Sequence, residues 1–230
     1  MRKVALLQFV ALFGFTGLVQ AQALQIVRVQ TDDPAGYVAW AADSASALLG
    51  GNPGSVSTCL PRFGAEAGVD AYFSASTPDA GLLLALDFNA PAVLRETEKV
   101  ADSRTVVARD VFLTIKGGRS LEAGDRWSQM ALFVETAEPA RYVELIGEFE
   151  DALHANGFED VTWAVHTMNS GDYAGLLHVA LQAPNGQRLG DALDAASTAS
   201  WSNFARGEFN GLRKIVRGMF IECTLHAGNR

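Results

Sequence analysis

Ten letters recur in this chain with six identities: VQTDDPAGYV at 29–38 and VETAEPARYV at 134–143. Two further pairs follow in the same order, GLLLALDFNAP (81–91) with GLLHVALQAP (175–184), and ARDVFLTIKGG (108–118) with VRGMFIECTLHAG (216–228). A chain that writes its pattern twice builds one unit twice, and this constrains the fold more than any single motif. In each decapeptide an alternating, β-branched run leads into an acid and a proline, the order expected where a strand ends and a helix opens.

Read along the chain, the first unit gives a strand at 24–31 and a helix at 34–49 that stops at Gly50-Gly51-Asn52-Pro53. A strand follows at 56–63 or 68–76, another at 80–88, a helix at 90–103 and a strand at 105–116. The second gives a strand at 128–136, a helix at 139–155, strands at 160–168 and 173–182, a helix at 185–209 and a strand at 213–225. Each unit therefore reads βαββαβ, an antiparallel sheet with both helices on one face. The opposite face of one such sheet would be a large exposed apolar patch, and two copies in one chain can cover each other.

This element order with its echoes resembles the dimeric α/β-barrel superfamily, here as a tandem duplication in one chain. The fold it implies is α+β, two ferredoxin-like units (24–120 and 121–230) whose sheets face each other as a pseudo-dimeric barrel. Cofactor-free monooxygenases, small isomerases and haem enzymes of the chlorite dismutase type belong to that superfamily. It implies haem ligation by His166 or His178 as one option; no cofactor follows from the residues themselves.

The N-terminus reads as a secretory signal peptide, residues 1–23: Arg2 and Lys3, an apolar run from Val4 to Val19, then Ala21-Gln22-Ala23, with cleavage expected after Ala23. The expected location is periplasmic or secreted, with no stable membrane anchor after cleavage. The formal charge of −8 becomes more acidic once Arg2 and Lys3 are removed, which argues against nucleic acid as a partner and leaves small molecules or proteins.

Strand alternation sorts candidate site residues by face. Val27, Val29 and Thr31 match Leu132, Val134 and Thr136 and belong under the helices, so Arg28 and Glu135 belong on the inner face. On the hairpin of the second unit, Trp163, Val165, Leu177, Val179 and Leu181 form the helix side, which leaves His166 and His178 inside. A turn near 169–172 brings these imidazoles opposite each other, where directly paired Cβ atoms lie about 4.5–5.5 Å apart. Asp87 is expected on the equivalent face of the first unit's third strand. The candidate set for binding a small molecule is His166, His178, Arg28, Glu135 and Asp87, which equally can satisfy one another as inert filling.

No metal is expected, since the pair lacks a third ligand and neither His-Glu-x-x-His nor Cys-x-x-Cys occurs. His154 at a helix end reads as structural, His226 as exposed, and the segment 197–214 either as a lid over a barrel mouth or as a helix extension. In the superfamily's barrel the last strand of one unit meets the second strand of the other. That arrangement implies a Cys59–Cys223 disulfide across the seam, with two buried thiols as the alternative. Three functional readings stand: a binder of a small molecule between the sheets, a cofactor-free oxygenase or isomerase with a histidine as general base, and a non-catalytic interaction module.

Overall fold

The computed structural model describes residues 22–228. The leader expected at 1–23 lies outside these residues except for its last two, and Ala23 is the fully buried first residue of a strand. The first half of the chain runs β1 (Ala23–Thr31), α1 (Pro34–Leu48), β2 (Ser55–Phe63), β3 (Ala71–Thr77), α2 (Ala80–Ala85), α3 (Pro91–Glu98) and β4 (Arg104–Lys116). The second runs β5 (Arg126–Glu135), α4 (Pro139–Ala155), β6 (Thr162–Met168), β7 (Leu177–Ala183), α5 (Gly186–Thr198), a 3-10 turn, α6 (Asn203–Leu212) and β8 (Lys214–Ala227).

The eight strands close into an antiparallel barrel in the order β1-β3-β2-β8-β5-β7-β6-β4. Four consecutive positions come from each half, and the halves join at two seams, β2 with β8 and β4 with β6. Closure leaves no strand edge unpaired, so neither sheet offers a template for aggregation. Each half packs its helices on its outer face. Val27, Val29 and Phe73 meet Tyr37, Trp40 and Ala41 in the first, while Leu132, Val134 and Val179 meet Tyr142, Leu145 and Ile146 in the second. A third apolar cluster, including Phe112, Trp127, Phe133 and Ile221, fills the space between the sheets.

The recurring decapeptide has a physical explanation. Thr31 Oγ1 accepts from the Asp33 amide at 3.2 Å, and Thr136 Oγ1 accepts from the Glu138 amide at 3.1 Å, so each threonine sets the turn from strand to helix. Pro34 and Pro139 open the helices, where no amide donor is needed. The hydroxyl of Tyr37 accepts from Arg104 at 3.3 Å and that of Tyr142 from Arg213 at 2.9 Å, tying each first helix to the start of its unit's last strand. Both halves also carry a β-bulge at the same place, between Arg28 and Val29 and between Phe133 and Val134.

The second echo does not survive in three dimensions. GLLHVALQAP forms β7, whereas GLLLALDFNAP forms α2 and the turn after it. Asp79 accepts from the Leu82 amide at 2.8 Å as a helix N-cap, and Leu83 packs down onto Ala23, so the leucine run is read at helical rather than strand period. The strand of the first half that corresponds to β7 is β3, and both alternatives offered by the sequence, 56–63 and 68–76, are strands.

Candidate functional site

β1, β3 and β2 align Arg28, Tyr72 and Cys59 in one row across the first sheet; β5, β7 and β6 align Phe133, His178 and His166 in the matching row of the second. The two histidines therefore occupy the positions that Cys59 and Tyr72 hold in the other half. His166 and His178 pair directly, with ring centroids 5.5 Å apart and planes 26° from parallel. Phe112 presents its edge to both rings, and Thr114 Oγ1 lies 3.0 Å from His166 Nδ1. Both imidazoles are buried, 2% and 7% exposed.

One mouth of the barrel is closed by charge. Arg28, 5% exposed, contacts Glu66 at 2.6 Å, Asp172 at 2.9 Å and Asp110 at 3.1 Å. Glu66 lies on the β2–β3 connection and Asp172 on the β6–β7 connection, so the corresponding loops of the two halves meet over one guanidinium. Tyr173 stacks on Phe133 at 4.6 Å and donates to Glu66 at 3.0 Å. Gly171, at φ +81°, lies against Asp110 so closely that a Cβ would come 1.6 Å from Oδ1.

Burial alone would lower the Arg28 pKa, but hydrogen bonds to Glu66 and Asp172 and the charges of Asp110 and Glu66 outweigh it and raise it. Burial raises the Asp110 pKa, and the neighbouring carboxylates Asp172 and Glu66 add to the rise that Arg28 opposes. At the other end the interior is closed by amides: Gln129 Oε1 accepts from Trp127 and Gln182, and Gln182 Oε1 accepts from the Arg119 amide at 3.0 Å.

Between these ends lies a cavity of about 50 Å³, bordered by Ile26, Tyr72, Phe112, Phe133, His178 and Met219 among others. A single water needs at least about 10–15 Å³, so the space admits water or a small ligand. The Tyr72 hydroxyl, on a side chain 7% exposed, has no side-chain partner, and the Glu66 backbone amide reaches it only weakly. Burial first, and then the charge of Glu66, push its pKa up to about 12. Pockets for drug-sized ligands run to about 300–1,000 Å³, so a porphyrin does not fit in this cavity. Among the described residues no group of three or more His, Cys, Asp or Glu could hold a metal ion, and no helix is long and apolar enough to cross a membrane.

Of the residues singled out in the sequence, His166, His178 and Arg28 come together around this cavity. Glu135 does not: it ends β5, one residue past the β5–β7 pairing, and its exposed carboxylate pairs with Lys214 of β8 at 2.8 Å. Asp87 does not either, because its segment is the exposed turn between α2 and α3, where it accepts from the Asn89 amide. His226 is half-buried rather than exposed, 2.7 Å from Thr58 Oγ1, and burial lowers its pKa. His154 lies 3.0 Å from the Val161 carbonyl. The segment 197–214 packs through Trp201 and Phe209 on Phe149 of α4, over the outer face of the second sheet and not over a mouth. Cys59 and Cys223 are bonded to each other across the β2–β8 seam.

Tyr72, Asp110, Glu66, Asp172 and Tyr173 were not singled out. Asp110 carried a signal, since it alternates with Phe112 and Thr114 along β4 and so shares their inward face.

No family model and no curated protein matches the sequence. Solved structures do. A presumed monooxygenase from Lactobacillus acidophilus superposes with a TM-score of 0.58 at 12% identity, over 91% of this chain and 98% of that one. A dye-decolorizing peroxidase from Bacteroides thetaiotaomicron gives 0.55 at 9%, over 90% and 94%. A mutant chlorite dismutase from Candidatus Nitrospira defluvii gives 0.52 at 11%, over 88% and 91%. The fold is the dimeric α/β barrel. In this barrel both halves belong to one chain, and at these identities the likeness shows the architecture alone.

Proposed function

We propose that this dimeric α/β barrel is an exported protein that binds a small molecule between its two sheets. One observation carries the reading: a cavity between the sheets meets the buried Tyr72 phenol and two opposed imidazoles. The convergence of apolar walls with a few polar groups is the usual composition of a binding site. Either imidazole is also suited to accept a proton from a bound molecule, which would make the same site that of a cofactor-free enzyme.

The test is an NMR titration of protein carrying ¹⁵N-labelled histidine with a panel of molecules of this size, beside a His166→Ala/His178→Ala variant. Saturable shifts of both imidazoles, lost in the variant along with binding, are expected. A flat response across the panel, with the variant as stable as the parent, leaves the pair as packing and favours the interaction-module reading.

A second reading rests on a different pocket. Under α4, α5 and α6 lies an apolar recess of about 310 Å³ lined by Phe149, Leu153, Trp163 and Leu181, with Arg206 and Arg213 at its margin. The Trp163 indole N–H, on a side chain 3% exposed, has no partner among the described residues. This recess suits a larger apolar ligand. Quenching of tryptophan fluorescence that is lost in Trp163→Phe, with the histidine signals unmoved, would assign binding there and not between the sheets.

A further inference from the structure

We infer that the recess under α4, α5 and α6 takes a single-chain amphiphile, an apolar tail ending in an oxyanion; this rests on the second reading above and names its ligand class. The recess keeps its apolar and charged surfaces apart. Its floor is apolar and comes from the sheet and α4: Met130 of β5, Trp163 of β6, Leu181 of β7, with Phe149 and Leu153 beside them. Its charge comes from one side alone, Arg206 on α6 and Arg213 just after it, and no Asp or Glu lines it. A tail lying on the floor therefore carries its head toward α6.

Neither guanidinium is neutralised. Arg206 donates to the Ser197 carbonyl and to Asn203 Oδ1. Arg213 donates to the Tyr142 hydroxyl at 2.9 Å and lies 4.5 Å from the centroid of Phe209. Neither forms an ion pair among the described residues, and three acids on α4 and α6, Glu144, Glu148 and Glu208, share Arg141 instead. A guanidinium has five N–H donors in a planar fork that matches an oxyanion, so both keep donors for one. In a chain of formal charge −8, two such cations beside an apolar surface select the sign of a head group: an anion is attracted and a cation repelled.

The first half shows the same recess without the extra segment. There Gln25, Leu48 and Arg104 stand where Met130, Leu153 and Arg213 stand in the second, and the space is about 220 Å³ rather than about 310 Å³. Its cover is the turn after α2 and the eight-residue α3, and Gln25 puts an amide on its floor. In the second half α5, the 3-10 turn and α6 take that place, so the segment 197–214 supplies Arg206 and roofs a larger, more apolar space.

The experiment titrates the purified protein with decanoate and with decyl phosphate, read by tryptophan fluorescence and calorimetry. 1-Decanol serves as the neutral chain, decyltrimethylammonium as the cationic one and acetate as a head without a tail. The tighter of the two long-chain anions names the head and is expected to bind at least about tenfold more tightly than 1-decanol. Decyltrimethylammonium should bind more weakly than 1-decanol, and acetate should give no saturable response. Arg206→Gln and Arg213→Gln should each weaken the anion severalfold and leave 1-decanol unchanged. Arg206 is exposed and bonds to exposed residues, so Arg206→Gln reads the head even if Arg213→Gln, which loses a bond to the buried Tyr142, does not fold.

Binding of 1-decanol or decyltrimethylammonium as tight as that of the anion overturns the oxyanion head and leaves the recess as an apolar site. An anion preference that survives Arg206→Gln unchanged overturns its assignment to α6. Anion binding that shifts the His166 and His178 signals and leaves tryptophan emission unchanged places the ligand between the sheets and overturns this site. No saturable response to any probe overturns both the ligand class and the reading of the recess.

Discussion

Cutting the Cys59–Cys223 crosslink tests how the two halves are held. The bond joins residues 164 apart in sequence, directly paired across the β2–β8 seam. In the unfolded chain it closes a loop that takes in most of the described protein. The chain-entropy relation for a loop of that length gives about 5 kcal/mol, and compactness of the real unfolded ensemble reduces this to about 3–5 kcal/mol. A typical domain has only about 5–15 kcal/mol of stability, so the change is a large fraction of the total.

The assay is urea unfolding of oxidised protein, reduced protein and a Cys59→Ala/Cys223→Ala variant, followed by circular dichroism. Reduced and variant proteins should both unfold at lower urea by that amount. Their dependence on urea should also steepen, because an uncrosslinked chain exposes more surface on unfolding. In the folded state Cys223 is 2% exposed, so reduction should be slow until the seam opens. A loss below about 1 kcal/mol, with no steepening, would refute the loop argument and mean that the seam's backbone ladder and apolar packing hold the halves together without it.

Three more predictions follow from named residues. Arg28→Ala leaves Asp110, 2% exposed, and the largely buried Glu66 without their cation, and should cost about 3–5 kcal/mol in chemical unfolding; a loss under about 1 kcal/mol would mean water or Arg217 replaces it. All four tyrosines have pKa values raised above 10.0, chiefly by burial, and Tyr72 is pushed up to about 12. Because the folded values are raised, the stability they contribute is fully present below pH 10 and is lost as pH rises through the folded values. Tyrosinate absorbance should therefore rise at higher pH in native protein than in urea-unfolded protein; coincident titration curves are the contrary result. Finally, Ala23 is buried in β1 and Gln22 bonds to Ser76 at 3.1 Å, so cleavage after Ala23 would cut into the strand, whereas cleavage after Ala21 spares it. Sequencing of protein recovered from an exporting host should begin at Gln22, and a start at Leu24 would contradict this.

The opposed histidines were legible because everything that fixes them is local. A hairpin with clear period-two alternation and a turn rich in Asn, Ser, Gly and Asp sets both face and register. Arg28 was legible for the same reason, one position before the shared valine of the repeat. Asp87 was misplaced because LLLAL has no polar residue to mark its period, and the deciding signal was the N-cap Asp79 outside the echo. Glu135 was placed on the correct strand but past the end of the β5–β7 pairing, and alternation records face without recording depth.

The sequence by itself determined the duplication, the βαββαβ order and the inward parity of each strand, since these depend on neighbours within a few residues. The tertiary structure decided what shares the interior. Glu66 and Asp172 sit on connections more than a hundred residues apart and meet only because both halves close over Arg28, and the Tyr72 hydroxyl becomes buried only when the opposite sheet excludes water. The size of the cavity belongs to the same class: it is the small difference between the space two sheets enclose and the volume of the side chains that fill it, and no local pattern encodes that difference.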